Sequence, residues 1–97
     1  MYYVYVLESQ KDGNFYIGYT SNLRNRVDMH NRGQVQSTRS RRPLRLLYYE
    51  ACLRQEDALH REKYLKTTYG HRYIRNRLKH YLEDPGEPPI TPGCPVK

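Results

Sequence analysis

Five side chains in this sequence combine types and spacings that are hard to explain as surface decoration: Tyr5, Tyr16, Arg26, His30 and Glu62. Leu23, Arg26, Val27 and His30 recur at i, i+3, i+4 and i+7, so on a helix the arginine and the histidine share the apolar, inward-leaning stripe. Polar groups in such places must be hydrogen-bonded, charge-paired or functional, because each one left buried and unsatisfied costs about 1–3 kcal/mol. Glu62 raises the same question, since it falls between Leu59 and Leu65 on a second helical stripe. A surface pair with Lys66 or Arg61 would be worth only about 0.3–0.5 kcal/mol; a carboxylate on an apolar stripe asks instead for a buried counter-charge or a metal ion. Tyr5 and Tyr16 belong to two short β-like runs and share a sheet face if paired residue numbers sum to an odd total. Brought together, these groups could hold an anion and a cation and move protons beside them.

The elements that must position them follow from local signals. Runs from Tyr2 to Glu8 and from Asn14 to Tyr19 flank Asp12-Gly13, a strong hairpin signal. Gly18, inside the second run, marks a place where a side chain would obstruct a close approach. Thr20, Ser21 and Asn22 are good N-caps and Gly33 a natural stop, which predicts a helix from Leu23 to Arg32. The basic segment from Arg32 to Arg45 reads as a loop. Its arginines, Arg32, Arg39, Arg41, Arg42 and Arg45, have no acidic neighbour in sequence, and phosphate contact would relieve their repulsion. Arg39, Arg41 and Arg42, clustered before Pro43, are therefore the nucleic-acid-binding candidates.

Leu44 to Ala51 reads as a third strand. A second helix is predicted from Gln55 or Glu56 towards Tyr69, with Gly70 capping its end and Ala58, Leu59, Glu62, Leu65 and Tyr69 facing inward. A third is predicted from His71 to Glu83. The expected fold is α+β, a three-stranded antiparallel sheet flanked by helices, with the site on an exposed sheet face against the first two helices. One domain would cover residues 1–83, and residues 84–97, rich in proline and glycine, would form a disordered tail without chemistry.

A chain of 97 residues has room for one small domain. Eleven tyrosines argue against a disordered composition and carry much of the packing. Seventeen Lys and Arg against ten Asp and Glu give a formal charge of +7, so an acidic partner is expected, nucleic acid first. No apolar run approaches the roughly 20 residues that span a bilayer, and the N-terminus reads as a strand rather than an export signal. Cys52 and Cys94 have neither metal-site spacing nor the density of a disulfide scaffold, which fits a reducing, cytoplasmic compartment.

Tyr3-Val4-Tyr5, then Tyr16-Ile17-Gly18, then Thr20, Asn22-Leu23, Arg26 and His30, with Glu62 downstream, resembles the signature of the GIY-YIG nuclease superfamily. Tyr3-Val4 stands in place of the family's first Gly-Ile, but its tyrosine is kept. The likeness is to the small stand-alone bacterial endonuclease branch and covers nearly the whole chain. It implies a metal-dependent DNA endonuclease of the repair or recombination type; a single small domain with a basic surface leads one to expect structure-selective or weakly selective cutting, with RNA the alternative substrate. Glu62, within Arg61-Glu62-Lys63-Tyr64-Leu65-Lys66, would hold the divalent ion, Mg2+ or Mn2+. By the same resemblance Tyr5 would be the base for the attacking water, Tyr16 would orient water or phosphate, and His30 would assist proton transfer or exchange roles with Tyr5. Asn76 is a further candidate, since some members place an asparagine near the site after the metal-binding helix.

Phosphodiester cleavage needs an activated water, stabilisation of added negative charge and help for the departing 3′-oxygen. One carboxylate suits Mg2+, which keeps most of its waters, and Arg26 is a planar, permanent cation for phosphate oxygens. Tyr5 can be a base at neutral pH only if a nearby cation lowers its pKa from about 10. The rival readings are a non-catalytic nucleic-acid-binding module with the same fold and a basic structural or ribosome-associated protein. The latter leaves Glu62 unexplained.

Overall fold

The structure, a computed structural model, describes residues 1–86. Strand β1 (Tyr2–Ser9) turns through Asp12-Gly13 into β2 (Phe15–Thr20), where the Asp12 carboxylate accepts from the Asn14 amide at 2.8 Å and Gly13 N–H donates to the Ser9 carbonyl at 2.8 Å. Helix α1 (Leu23–Asn31) is capped by the Asn22 side chain, which accepts from the Asn25 amide. A connection containing one 3-10 turn (Arg39–Arg41) leads to β3 (Leu44–Cys52), followed by α2 (Gln55–Leu65), α3 (Thr68–Arg77) and the short α4 (Lys79–Glu83). The three strands form an antiparallel sheet in the order β2-β1-β3, the expected α+β arrangement.

Each face of the sheet has its own core. Val4, Val6 and Ile17 pack with Ala58 and Leu65 of α2 and Ile74 of α3 on one face. Tyr5, Leu7 and Leu44 pack with Leu23 and Val27 of α1 on the other. The expectation that the first two helices would share a face is thus corrected: α1 and α2 lie on opposite sides. The central strand β1 reads Val4-Tyr5-Val6-Leu7, all buried, because both of its faces are covered. β3 keeps its two faces distinct through a bulge: Val6 pairs with Tyr48 but Leu7 with Leu46, so Leu47 is the extra residue. That shift puts Leu46 and Tyr49 with α1, and Tyr48 and Cys52 with the other helices.

The second predicted helix ends early. Instead of running on to Tyr69, α2 stops at Leu65, and Thr67 starts α3 as its N-cap, accepting from the Gly70 amide at 3.1 Å. Gly70 is therefore not a stop but a buried residue of α3, seated so closely that a Cβ would strike the Tyr64 carbonyl and the Leu65 backbone. With the axis redirected there, Tyr69 is 68% exposed; Leu59, inside α2, is also 43% exposed rather than inward. The predicted third helix, 71–83, is divided at Leu78 into α3 and α4, and Tyr81 anchors α4 by donating to Glu8 at 2.7 Å. The expected tail lies, beyond residue 86, outside the described residues, as does Cys94.

Replacing Gly70 with alanine should lower stability by about 1–3 kcal/mol through overpacking, although alanine is the better helix former by about 1 kcal/mol. Denaturant unfolding measures this; an unchanged or raised midpoint would show that the α2–α3 corner yields at no cost.

Candidate active site

Tyr5 and Tyr16 do share a face, since Tyr5 pairs with Gly18 and Leu7 with Tyr16 across β1 and β2. Their rings stack at 6.4 Å between centroids with 9° between planes. Gly18 explains why Tyr5 can lie flat there: a Cβ at that position would run into the Tyr5 hydroxyl and ring. The close approach read from the sequence is thus made by Tyr5 itself. Helix α1 brings His30 edge-on to both rings, at 5.6 Å from Tyr5 and 5.0 Å from Tyr16.

The polar atoms form one directed chain. Arg26 Nε–H can only donate, and it meets the Tyr5 oxygen at 3.4 Å. The Tyr5 oxygen lies 2.8 Å from His30 Nε2, and with the Thr38 hydroxyl already donating to Val35 and the Tyr5 hydrogen in need of an acceptor, the tautomer assigned has Tyr5 donating to Nε2 and the proton on Nδ1. Nδ1–H donates to Thr38 Oγ1 at 2.7 Å, and the Thr38 hydroxyl donates onward to the Val35 carbonyl at 3.4 Å. Tyr5, His30 and Thr38 are all shut off from solvent, and among the described residues no buried side-chain polar atom lacks a partner. Thr38 is the participant that the sequence hid. It lies in the loop after α1, outside any periodic pattern, and only its place three residues beyond Val35 hinted at a local turn.

Burial sets the electrostatics. It raises the Tyr5 hydroxyl to about 12, against the lowering effect of Arg26 and with smaller upward pushes from Tyr16 and Glu62. Arg26 by itself does not meet the condition for a phenolate at neutral pH, because desolvation outweighs the cation. Burial, and secondarily Arg26, depresses His30 to about 4, so the imidazole is neutral at pH 7 and can accept a proton.

Glu62 approaches from the other side. Helix α2 packs across β1 and β2, and Glu62 lies within electrostatic reach of the Tyr5 hydroxyl. Its side chain is 19% exposed and pairs with Lys66 at 3.2 Å, the very ion pair that its sequence position argued against, while Arg61 is taken by Glu50 at 2.8 Å. A pair with a lysine 56% exposed is weak and screened, so a stronger ligand can displace it. Among the described residues no three His, Cys, Asp or Glu side chains cluster to enclose a metal ion. Near Tyr5 the Glu62 carboxylate is the protein group that could hold a divalent ion. Asn76 is exposed on α3, whose core residue Ile74 packs on the sheet face opposite Tyr5.

The loop arginines are less alike than their sequence suggests. Arg41 does have an acidic neighbour: it pairs with Asp12 at 3.0 Å and donates to the Asn14 carbonyl, pinning the loop to the hairpin. Arg39 donates to the Gly33 carbonyl at 3.0 Å and Arg42 to that of Arg39 at 2.9 Å, yet both stay exposed. Arg39 and Arg42 thus remain open to phosphate, whereas Arg41 is chiefly a strut.

Residues 1–74 match the family model described as the GIY-YIG catalytic domain. The chain is 46% identical over 66 residues to a UPF0213 protein of Pediococcus pentosaceus, covering 67% of this chain and 68% of that one. With a UPF0213 protein of Lacticaseibacillus paracasei the identity is 40% over 84 residues, covering 86% and 88%. A UPF0213 protein of Streptococcus pneumoniae is 43% identical over 65 residues, and there the match spans 66% of this chain and 65% of the relative's length. A solution NMR structure of a UPF0213 protein from Bacillus halodurans aligns with a TM-score of 0.46 at 31% identity, covering 89% of this chain and 88% of that one.

The depressed His30 value makes a signed prediction. Between pH 6.5 and about 4 the unfolded chain takes up a proton that the folded chain refuses, so this contribution is whole above pH 6.5 and is lost as pH falls through the window. Unfolding free energies measured from pH 7 to 4 should decline accordingly, with an NMR titration placing His30 well below 6.5. Thr38→Val, which strips the Nδ1 proton of its acceptor, should cost about 1–3 kcal/mol at pH 7, and Thr38→Ser less. A His30 that titrates normally would contradict the assigned chain.

Proposed function

The chain belongs to the GIY-YIG nuclease family, and from that membership we propose that it is a metal-dependent endonuclease that hydrolyses phosphodiester bonds in DNA. The observation that carries this reading is the Tyr5 hydroxyl held between Arg26 and a neutral His30. Tyr5 oxygen takes a proton from the attacking water while its own proton passes to His30 Nε2. No preformed phenolate is needed, so a value near 12 is no obstacle. The new P–O bond forms as the bond to the 3′-oxygen breaks, the leaving oxygen takes a proton from water, and after release the imidazolium passes its proton back to Tyr5 as the Tyr5 hydroxyl gives its own to solvent.

Tyr5 is closed to water while Arg26 rests on its oxygen. That contact is long, and a phosphate offers the guanidinium a charged, bidentate partner in exchange. Substrate binding therefore both positions the phosphate on Arg26 and uncovers the oxygen that takes the proton. Tyr16, half-buried and stacked on Tyr5, lines the approach and orients water or phosphate. A divalent ion held by Glu62 would supply positive charge to the phosphate and the leaving oxygen. Arg39 and Arg42 add positive charge on the loop that carries Thr38.

Cleavage of labelled single-stranded, duplex, flap and junction DNA with Mg2+ or Mn2+ tests this directly. Glu62→Ala should lose at least about a hundredfold in rate with binding unchanged, and Tyr5→Phe should be similarly impaired. The wild-type rate should be flat between pH 6 and 9; a tenfold rise per pH unit that Tyr5→Phe abolishes would favour a phenolate over the relay. Binding by wild type and Glu62→Ala with cleavage by neither would favour a non-catalytic binding module.

A further inference from the structure

The basic segment that the structure leaves least committed is not the loop read from the sequence but helix α3. From Lys63 to Leu82 the chain carries Lys63, Lys66, Arg72, Arg75, Arg77 and Lys79 and not one carboxylate. Lys66 pairs with Glu62, but among the described residues Arg72, Arg75 and Lys79 are ion-paired to no carboxylate. All three are exposed. Gly70 and Ile74 turn inward, so the opposite side of α3 shows Tyr69, Arg72, Tyr73 and Asn76 to solvent at helical spacing. Tyr69 is 68% exposed, and Arg72 lies 5.8 Å from its ring centre. An exposed aromatic beside unpaired guanidinium groups is poor core material and a good surface for a polyanion that carries flat bases.

The edge strand β2 links this surface to the candidate active site. Phe15, at its start, lies under Arg75 at 5.2 Å and against His71 at 6.3 Å. The next residue, Tyr16, points to the other sheet face and stacks on Tyr5. Among the described residues β2 is an edge strand of the sheet, so no further strand of theirs separates the two surfaces along that edge.

We propose that α3 is a second nucleic-acid contact of the same protein, with Arg72 and Arg75 on backbone phosphates that lie beyond the β2 edge from the cleaved bond and Tyr69 stacking on an unpaired base. This rests on the nuclease reading for its ligand class and adds where, and to what form of the ligand, the substrate binds. It selects nucleic acids with single-stranded segments, because a base inside a duplex offers no free face to Tyr69.

The test is equilibrium binding of a labelled flap DNA and a matched blunt duplex to the intact chain at several salt concentrations. Arg72→Gln/Arg75→Gln should bind both about tenfold or more weakly, with the salt slope reduced by about 1–2. Arg72→Lys/Arg75→Lys, which keeps the charge, should restore most of the binding and so exclude misfolding as the cause. Tyr69→Ala should weaken flap binding severalfold and leave the duplex unchanged. Wild-type affinity and salt slope in the glutamine variant would overturn the phosphate contacts, and an unchanged flap-to-duplex ratio in Tyr69→Ala would overturn the stacking. If the wild-type chain binds neither DNA at low salt, the nuclease reading and this inference both fall.

Discussion

A single hydroxyl orders much of this molecule. The Tyr5 oxygen lies where solvent cannot reach it, and a buried hydroxyl without partners would cost about 1–3 kcal/mol. Its needs reach outward in turn. Gly18 must lack a side chain so that the ring can lie over β2, α1 must be placed to deliver Arg26 and His30 from one stripe, and the following loop must fold back to bring Thr38 to the far nitrogen of His30. Each requirement is a satisfied donor or acceptor, and together they fix the imidazole tautomer. The same burial that creates this demand keeps His30 neutral, with Nε2 free to accept from Tyr5, while lowering the basicity of the imidazole.

The sheet divides the labour. Proton-handling groups sit on the α1 face, and the carboxylate arrives on α2, which packs on the other. Glu62 comes within electrostatic reach of Tyr5 because α2 crosses β1 and β2, the strands that bear the two tyrosines and Gly18. Separate helices can thus contribute opposite charges to one neighbourhood without neutralising each other in direct contact. Glu50 has a different fate. It is held by Arg61 Nε and Nη2 at 2.8 and 2.9 Å and by the Tyr48 hydroxyl at 2.8 Å, so it ties β3 to α2 and is spent on the fold.

Positive charge follows the same distinction between bound and free. Arg41, Arg45 and Arg61 are engaged with protein carboxylates, carbonyls or hydroxyls. Arg72, Arg75 and Lys79 stand on the surface without an ion-pair partner among the described residues. A net charge of +7 is therefore not spread evenly in its availability. What a polyanion would meet is the part of that charge which folding has left unneutralised.

The hairpin, α1 and its caps, the third strand and the family likeness were all legible in the sequence, because each rests on residues close together: Asp12-Gly13, Asn22, Gly33, and the i, i+3, i+4, i+7 run from Leu23 to His30. Helical spacing likewise placed Arg26 and His30 on the inward face. What local pattern could not settle was the identity of partners far apart in the chain. That Thr38 receives the His30 proton, that Arg41 finds Asp12 and that Glu50 claims Arg61 depend on how loops and strands meet. The break between α2 and α3 was hidden because a glycine reads as a stop, while here it lets two helices touch. The ionisation of Tyr5 stayed conditional in the sequence for a related reason. Its arginine neighbour was visible as a residue, but the depth of burial that outweighs it is a property of both cores closed around β1. Sequence alone determined which groups were present and which helix face they shared; tertiary structure decided their partners and protonation, because desolvation and long-range hydrogen bonding exist only after the chain has closed.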